Sequence, residues 1–407
     1  MATHARRHTD RPPLRGMDSL LASKEMIVVC GSGGVGKTTM SAAMGAVAAT
    51  QLGGRVLVIT VDPARRLATA LGLDRVGNNE TQVDPAILRK ALAGTALTPP
   101  PGTKQGELWV AMLDTKAGWN ELIRRHAPNE EQRNKILANP LYQNITTRFV
   151  HSHGYIAMER LREIHASGRY DLVIVDTPPS RNALDLLDSP ARMAEFFGSR
   201  LLKWLTVPYR SRLFTAASKP FYQVADRILG SRFLQDIAEF FILFQSMEKG
   251  FVARAREVER LLVDPRNAFV IVSTLEAAPA HEAGYLAEEL QRRKMSLGAI
   301  ILNRTLPAAI RQPVAAKAAR DLCAASEDAA TVRALAAKLK VDAADVKSVM
   351  AEVGARFHDI SVVATREAER RAELEAIGAM TVAAPSLDRD VTDLTGLLEL
   401  GGHIFAS

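Results

Sequence analysis

Short, nearly unbroken apolar runs recur along the chain. They fall at residues 26–31, 55–62, 108–114, 171–177, 269–274 and 297–303, and Val, Ile and Leu dominate them. They do not alternate with polar positions, so each predicts a strand covered on both faces, as in a parallel sheet. The longer stretches between them read as helical. That alternation predicts an α/β fold, with a doubly wound, mostly parallel sheet and an inserted α-helical subdomain. Residues 359–364 and 380–384 are shorter apolar runs that predict added edge strands.

Two regions break the rhythm. Residues 189–262 are helical in character and hold 12 of the chain's 22 aromatic residues. Residues 308–357 are Ala-rich, amphipathic and helical, and Pro99-Pro100-Pro101-Gly102 marks an exposed loop. Residues 1–24 carry Arg6, Arg7, Arg11 and Arg15 without an apolar core, and predict a disordered basic arm. The organisation expected is this arm, one domain over 25–400 with helical segments at 189–262 and 308–357, and a short tail at 401–407.

Composition adds exclusions. With 47% hydrophobic and 24% charged residues the chain is ordinary for a folded domain. No uncharged apolar run reaches the roughly 18 residues needed to cross a bilayer. The N-terminus lacks the apolar segment of a secretory signal. A net charge of +7 suits acidic partners or an anionic membrane surface. No aromatic-plus-basic signature argues for nucleic acid. The two cysteines, Cys30 and Cys323, form no C-x-x-C pair, so a zinc or iron–sulfur site is unsupported. These features predict a cytoplasmic protein, with the membrane surface as a peripheral location.

The chemistry begins at the end of the first run. Gly31-Ser32-Gly33-Gly34-Val35-Gly36-Lys37-Thr38-Thr39 follows a strand and precedes an Ala-rich helix. This G-x-x-x-x-G-K-T spacing in strand–loop–helix context is a phosphate-binding P-loop. Backbone N–H groups of Gly33, Gly34, Val35, Gly36, Lys37, Thr38 and Thr39 would curl round phosphate oxygens, and the helix N-terminus adds favourable partial charge. Lys37 would reach the β- and γ-phosphates of ATP, and the Thr38 hydroxyl would ligate Mg²⁺. Asp176 ends the run at 171–177, where a P-loop fold places the carboxylate that holds Mg²⁺. Asp62 ends another. It is either a second carboxylate, able to position or deprotonate the attacking water, or the first residue of an Asp-Pro turn; spacing does not choose between them.

At this point the chain resembles the ArsA/Get family of ATPases. Gly33-Gly34-Val35-Gly36-Lys37-Thr38-Thr39 is similar to that family's deviant loop, K-G-G-V-G-K-T-T. Asp62-Pro63-Ala64 resembles its switch I, and Asp176-Thr177-Pro178-Pro179-Ser180-Arg181-Asn182-Ala183-Leu184 its switch II. Ile300-Ile301-Leu302-Asn303-Arg304 resembles the adenine-reading segment, and Met380 to Leu397, with Ala384-Pro385-Ser386-Leu387, the terminal segment over the base. The four elements after the loop occur in family order, the match covering most of residues 26–400, and 308–357 match least. The resemblance implies a nucleotide-driven dimeric ATPase. Lys37 and Asp62 would be catalytic, Thr38 and Asp176 would serve the metal, and Asn303, Arg304 and Pro385 would line the base site. An Asn ending a strand is also a common turn residue.

The Get branch implies that 189–262 contribute an apolar groove for a hydrophobic segment of a membrane protein. An ordinary helical core is the other reading of the same aromatics. The ArsA branch implies an arsenite or anion efflux ATPase, but its cysteine cluster has no counterpart here. A MinD- or ParA-like positioning ATPase shares the loop, yet the C-terminal tail is too short and too weakly basic for that class. One departure concerns partners: Ser32 stands where the family's loop has the lysine that reaches the partner subunit's nucleotide. Either the chain pairs with a lysine-bearing paralogue, or a homodimer uses another cation, with Arg65, Arg66 and Arg181 as candidates.

Overall fold

The computed structural model describes residues 16–61, 65–71, 73, 77–140, 142–143, 150–179, 187–189, 191–192, 195, 242 and 248–405. Among them, eight strands form one sheet: β1 (Met26–Cys30), β2 (Arg55–Thr60), β3 (Thr81–Gln82), β4 (Glu107–Met112), β5 (Leu172–Asp176), β6 (Asn267–Ser273), β7 (Leu297–Thr305) and β8 (Met380–Pro385). The order across the sheet is β3-β4-β2-β5-β1-β6-β7-β8. Every pairing is parallel except β3 with β4. The six apolar runs expected to be strands are β1, β2, β4, β5, β6 and β7. The run at 380–384 is the edge strand β8.

Both faces of the sheet are covered, which is why its strands read as continuous apolar runs. Side chains alternate along β1: Ile27 and Val29 join one core, and Met26, Val28 and Cys30 join the other. The first core is closed by helices Gly16–Ser23, Lys37–Val47 and Leu394–Phe405. The expected disordered arm over 1–24 is corrected at residues 16–23, and the expected tail at 401–405: Met17, Leu21 and Ile404 are buried in this core, and that packing holds both segments as helix. The second is closed by helices Val150–Ser167, Glu248–Val263 and Ala277–Arg292.

One strand expectation is corrected. Residues 359–364 lie inside the 33-residue helix Ala343–Glu375. Ile360, Val362 and Val363 favour strand locally, but Val346, Met350, Gly354, Ser361 and Ala364 form one buried helical stripe through the segment. Packing along that stripe overrides the local β-preference. The helix packs with Pro313–Glu327 and Ala329–Leu339 around a small core of Val332, Ala336, Val346 and Met350. Two hydrogen bonds fasten its far end to loops at the carboxyl edge of the sheet. Arg370 donates to the Leu275 carbonyl at 2.8 Å, and Glu367 accepts from the Leu306 N–H at 3.3 Å. Most of the aromatic-rich region 189–262 lies outside the described residues.

Candidate functional site

Strand β1 lies between β5 and β6 near the middle of the sheet, and the P-loop leaves its carboxyl end. In open α/β sheets that edge is where ligands bind. Gly31 has φ 151°, and a Cβ there would sit 2.1 Å from the Val272 carbonyl oxygen, so only glycine lets the loop leave β1 this close to β6. Gly36 has φ 94° and directly precedes helix Lys37–Val47. The apolar Val35 side chain is turned into the core, while Gly33 and Gly34 are exposed.

Lys37 is buried, and its Nζ donates to the Ser32 carbonyl oxygen at 2.8 Å, which holds the ammonium within the loop. The Ser32 hydroxyl is buried and has no hydrogen-bond partner among the described residues. Next to the loop, Thr38 Oγ1 donates to Asp176 Oδ2 at 2.6 Å, and Thr60 Oγ1 donates to the same oxygen at 2.9 Å. Asp176 is fully buried at the end of β5. Its neighbour Thr177 donates through Oγ1 to the Val29 carbonyl at 2.7 Å, tying the start of this loop back to β1. The residues expected to serve a metal, Thr38 and Asp176, are therefore in direct contact. A hydroxyl and a carboxylate are hard oxygen donors of the kind Mg²⁺ prefers.

A cavity of about 670 Å³ opens beside the loop. That volume lies within the usual range for small-molecule sites. Gly36, Thr38 and Thr39 form one wall, Asn303, Arg304 and Pro385 another, and Thr69, Leu387, Arg389 and Asp390 complete the rim. Four segments far apart in sequence thus meet at one cleft. Arg389 and Asp390 belong to the 380–397 segment expected over the base, whereas Thr69 was not singled out by the sequence; it carries no motif, and only the topology brings it to the cleft. Asp62, with Pro63 and Ala64, lies outside the described residues, as do 180–184. Arg304 has φ 56°, an unusual conformation for a side chain of its size.

Beneath the loop, Cys30 is wholly buried. Desolvation pushes its thiol up to about 12, a rise that the Thr177 hydrogen bond and the Lys37 charge only partly offset.

Comparison with known proteins gives the chain's relatives. The sequence profile of the ArsA_ATPase family, described as anion-transporting ATPase, matches residues 24–326. An uncharacterized protein of Streptomyces coelicolor is 27% identical over 287 residues, covering 69% of this chain and 62% of its own length. The ATPase BagA of Mycobacterium tuberculosis is 32% identical over 150 residues, which are 36% of this chain and 42% of BagA. An ATPase ASNA1 homolog of Trypanosoma cruzi is 28% identical over 304 residues, covering 72% and 77% of the two chains. The chain thus spans about three fifths of the length of the Streptomyces relative and about two fifths of BagA.

Proposed function

The chain belongs to the ArsA anion-transporting ATPase family, and from that membership we propose that it is a Mg²⁺-dependent ATP hydrolase acting as a nucleotide-driven dimeric switch. The observation that carries the proposal is the contact of Thr38 with Asp176, 2.6 Å apart, at the mouth of a cavity walled by the P-loop. Loop amides and Lys37 bind the phosphates. Thr38 and Asp176 hold Mg²⁺, which when bound offsets the phosphate charge. Asp62 orients the attacking water, and Lys37 stabilises charge on the transferred phosphoryl group. The base lies in the cleft of Asn303, Arg304 and Pro385.

Lys37→Ala should abolish tight ATP binding. Asp62→Asn should keep binding but lose turnover by about 10²-fold or more, the scale for removing a positioned base. Wild-type turnover of the Asp62→Asn protein at saturating ATP would remove Asp62 from the mechanism.

The output of the switch is binding or delivery of a hydrophobic segment of a membrane protein, or engagement of a membrane partner. The aromatic concentration between 189 and 262 supports this reading. No helix among the described residues is long and apolar enough to cross a membrane. Anion or arsenite efflux is the competing reading, and the family's description favours it. Against it, Cys30 lies in β1 and Cys323 in the separate helix Pro313–Glu327, so they supply no shared thiol site. Co-purification with the Asp62→Asn form separates the two: an apolar membrane-protein segment supports delivery, and an integral transporter supports efflux.

Ser32 bears on the partner. A serine is too short and uncharged to reach across a dimer, so the assembly is a heterodimer with a lysine-bearing paralogue, or a homodimer in which an arginine substitutes. Adding such a paralogue should raise the ATPase rate and give a stable mixed dimer. Full activity of the chain alone, unmoved by Ser32→Lys, would refute the heterodimer.

A further inference from the structure

Asn303 does more in this fold than end a strand. Leu302 of β7 pairs with Ala383 of β8, and Thr305 pairs with Pro385. Two residues of β7, Asn303 and Arg304, therefore oppose Ala384 alone. This is a β-bulge, a device that re-aims a side chain, and Arg304 within it lies in the left-handed region. The side chain so re-aimed reaches the P-loop. Asn303 Nδ2 donates to the Val35 carbonyl oxygen at 2.8 Å, and Asn303 Oδ1 accepts from the Arg304 N–H at 2.9 Å. Asn303 is buried, and a Cβ on Gly36 would lie only 2.4 Å from its Nδ2. The amide thus lies directly against the peptide joining Val35 to Gly36.

That peptide unit is planar and trans, so its N–H points opposite to its C=O. Fixing the Val35 carbonyl on Asn303 therefore fixes the direction of the Gly36 N–H. The Val35 side chain, buried in the core, anchors the same unit from its other end. Gly36 walls the cleft and lies in the phosphate-binding run.

We propose that Asn303 is a positioning residue for the phosphates of the nucleotide: it orients the Gly36 N–H of the P-loop, so that the strand beside the base site sets the loop's affinity for phosphate. This rests on the nucleotide reading of the cleft given above, and it differs from a base contact in one measurable respect. A base contact is worth nothing to a ligand that has no base.

The test compares binding of ATP and of inorganic tripolyphosphate, both with Mg²⁺, by titration calorimetry on the full chain. Asn303→Ala should weaken tripolyphosphate about 3- to 10-fold, the range for one lost hydrogen bond, and ATP by at least that factor. Asn303→Asp is isosteric and keeps the acceptor for the Arg304 N–H, but sets a carboxylate oxygen against the Val35 carbonyl. It should weaken both ligands at least as much, and it keeps the test open if the alanine variant does not fold. Loss of the buried hydrogen bond lowers the ligand-free melting temperature, and in addition the rise in melting temperature on adding tripolyphosphate should shrink. Loss of ATP affinity with unchanged tripolyphosphate affinity would overturn the inference and make Asn303 a base reader. A shift of the ligand-free melting temperature with an unchanged tripolyphosphate increment would make it a structural residue only. A wild-type chain that binds neither ligand would instead overturn the nucleotide reading itself, and this inference with it.

Discussion

At the scale of single residues, the site is assembled from groups whose neighbours set their chemistry. Asp176 accepts hydrogen bonds from two threonines, Thr38 and Thr60, on two different elements. Lys37 is held against its own loop. Cys30 is the contrasting case. One residue before Gly31, its thiol is buried and pushed up to about 12. The thiolate is the form that attacks thiol reagents and binds soft metals, and at pH 8 a group with that pKa is thiolate only on the order of once in 10⁴ molecules. The folded protein should therefore leave Cys30 unmodified by Ellman's reagent at pH 8 over the time in which Cys323 reacts, and denaturation should release it. Rapid reaction of two thiols per native chain would show that the loop opens onto β1. It would also restore Cys30 as a candidate ligand in the efflux reading.

At the scale of elements, legibility followed burial. The strands covered on both faces were readable because their composition is dictated from both sides: all of Met26–Cys30, Leu172–Asp176 and Asn267–Ser273 is buried. The P-loop was readable because phosphate geometry demands its spacing. Residues 359–364 were misread because Ile360, Val362 and Val363 are exposed on the helix, where packing does not select them, and their branching imitated a strand. The bulge at Asn303–Arg304 left no signal, since it exists only relative to β8. The rim residue Thr69 was hidden for the same kind of reason: it meets the loop only through tertiary structure. The strand Thr81–Gln82 is two residues long, too short for any periodicity. The array of helices carries a testable detail at Gly354. A Cβ there would lie 2.8 Å from Cys323 Sγ and 3.1 Å from the Cys323 backbone nitrogen. Helix Ala343–Glu375 therefore packs against Pro313–Glu327 through the missing side chain. Gly→Ala in a helix gains about 1 kcal/mol of propensity, and overpacking costs about 1–3 kcal/mol. Gly354→Ala should come out near neutral or slightly destabilising, and Gly354→Val should destabilise by about 2 kcal/mol or more, since β-branching removes part of the propensity gain. Cys323→Ala should recover part of the valine loss, because it removes the Sγ but leaves the backbone contact. Chemical denaturation of the four proteins measures this, and no coupling between the two positions would mean that the helices shift apart at no cost.

At the scale of the whole molecule, charge on the second face of the sheet links stability to pH. Glu159, buried on helix Val150–Ser167, pairs with Arg162 at 2.9 Å and with Arg254 of helix Glu248–Val263 at 3.0 Å. Glu163 of the first helix pairs with Arg125 of helix Thr115–His126 at 3.0 Å. His126 ends that third helix among these groups. Burial, and then the Arg254 charge, lower its pKa below 6.5, while Glu163 acts in the opposite sense. In the pH window below 6.5 the unfolded chain therefore takes up the His126 proton more readily than the folded one. The stability that neutral His126 contributes is fully present above that window and is lost as pH falls through the folded pKa. The Asp264–Arg266 pair does not act in the same window. Hydrogen bonds from Arg266 hold Asp264 down to about 2, so its contribution persists until the pH drops below about 4. Urea midpoints should therefore fall between pH 7 and 5, with the His126 share bounded by about 1.4 kcal/mol per pH unit, the limit for one proton. His126→Gln, which stays neutral, should flatten that decline and leave the steeper loss below pH 4 in place. Asp264→Asn should do the reverse. Identical pH profiles for wild type and His126→Gln would mean that the imidazole takes up its proton equally well in both states, and that the junction of the three helices is open to water.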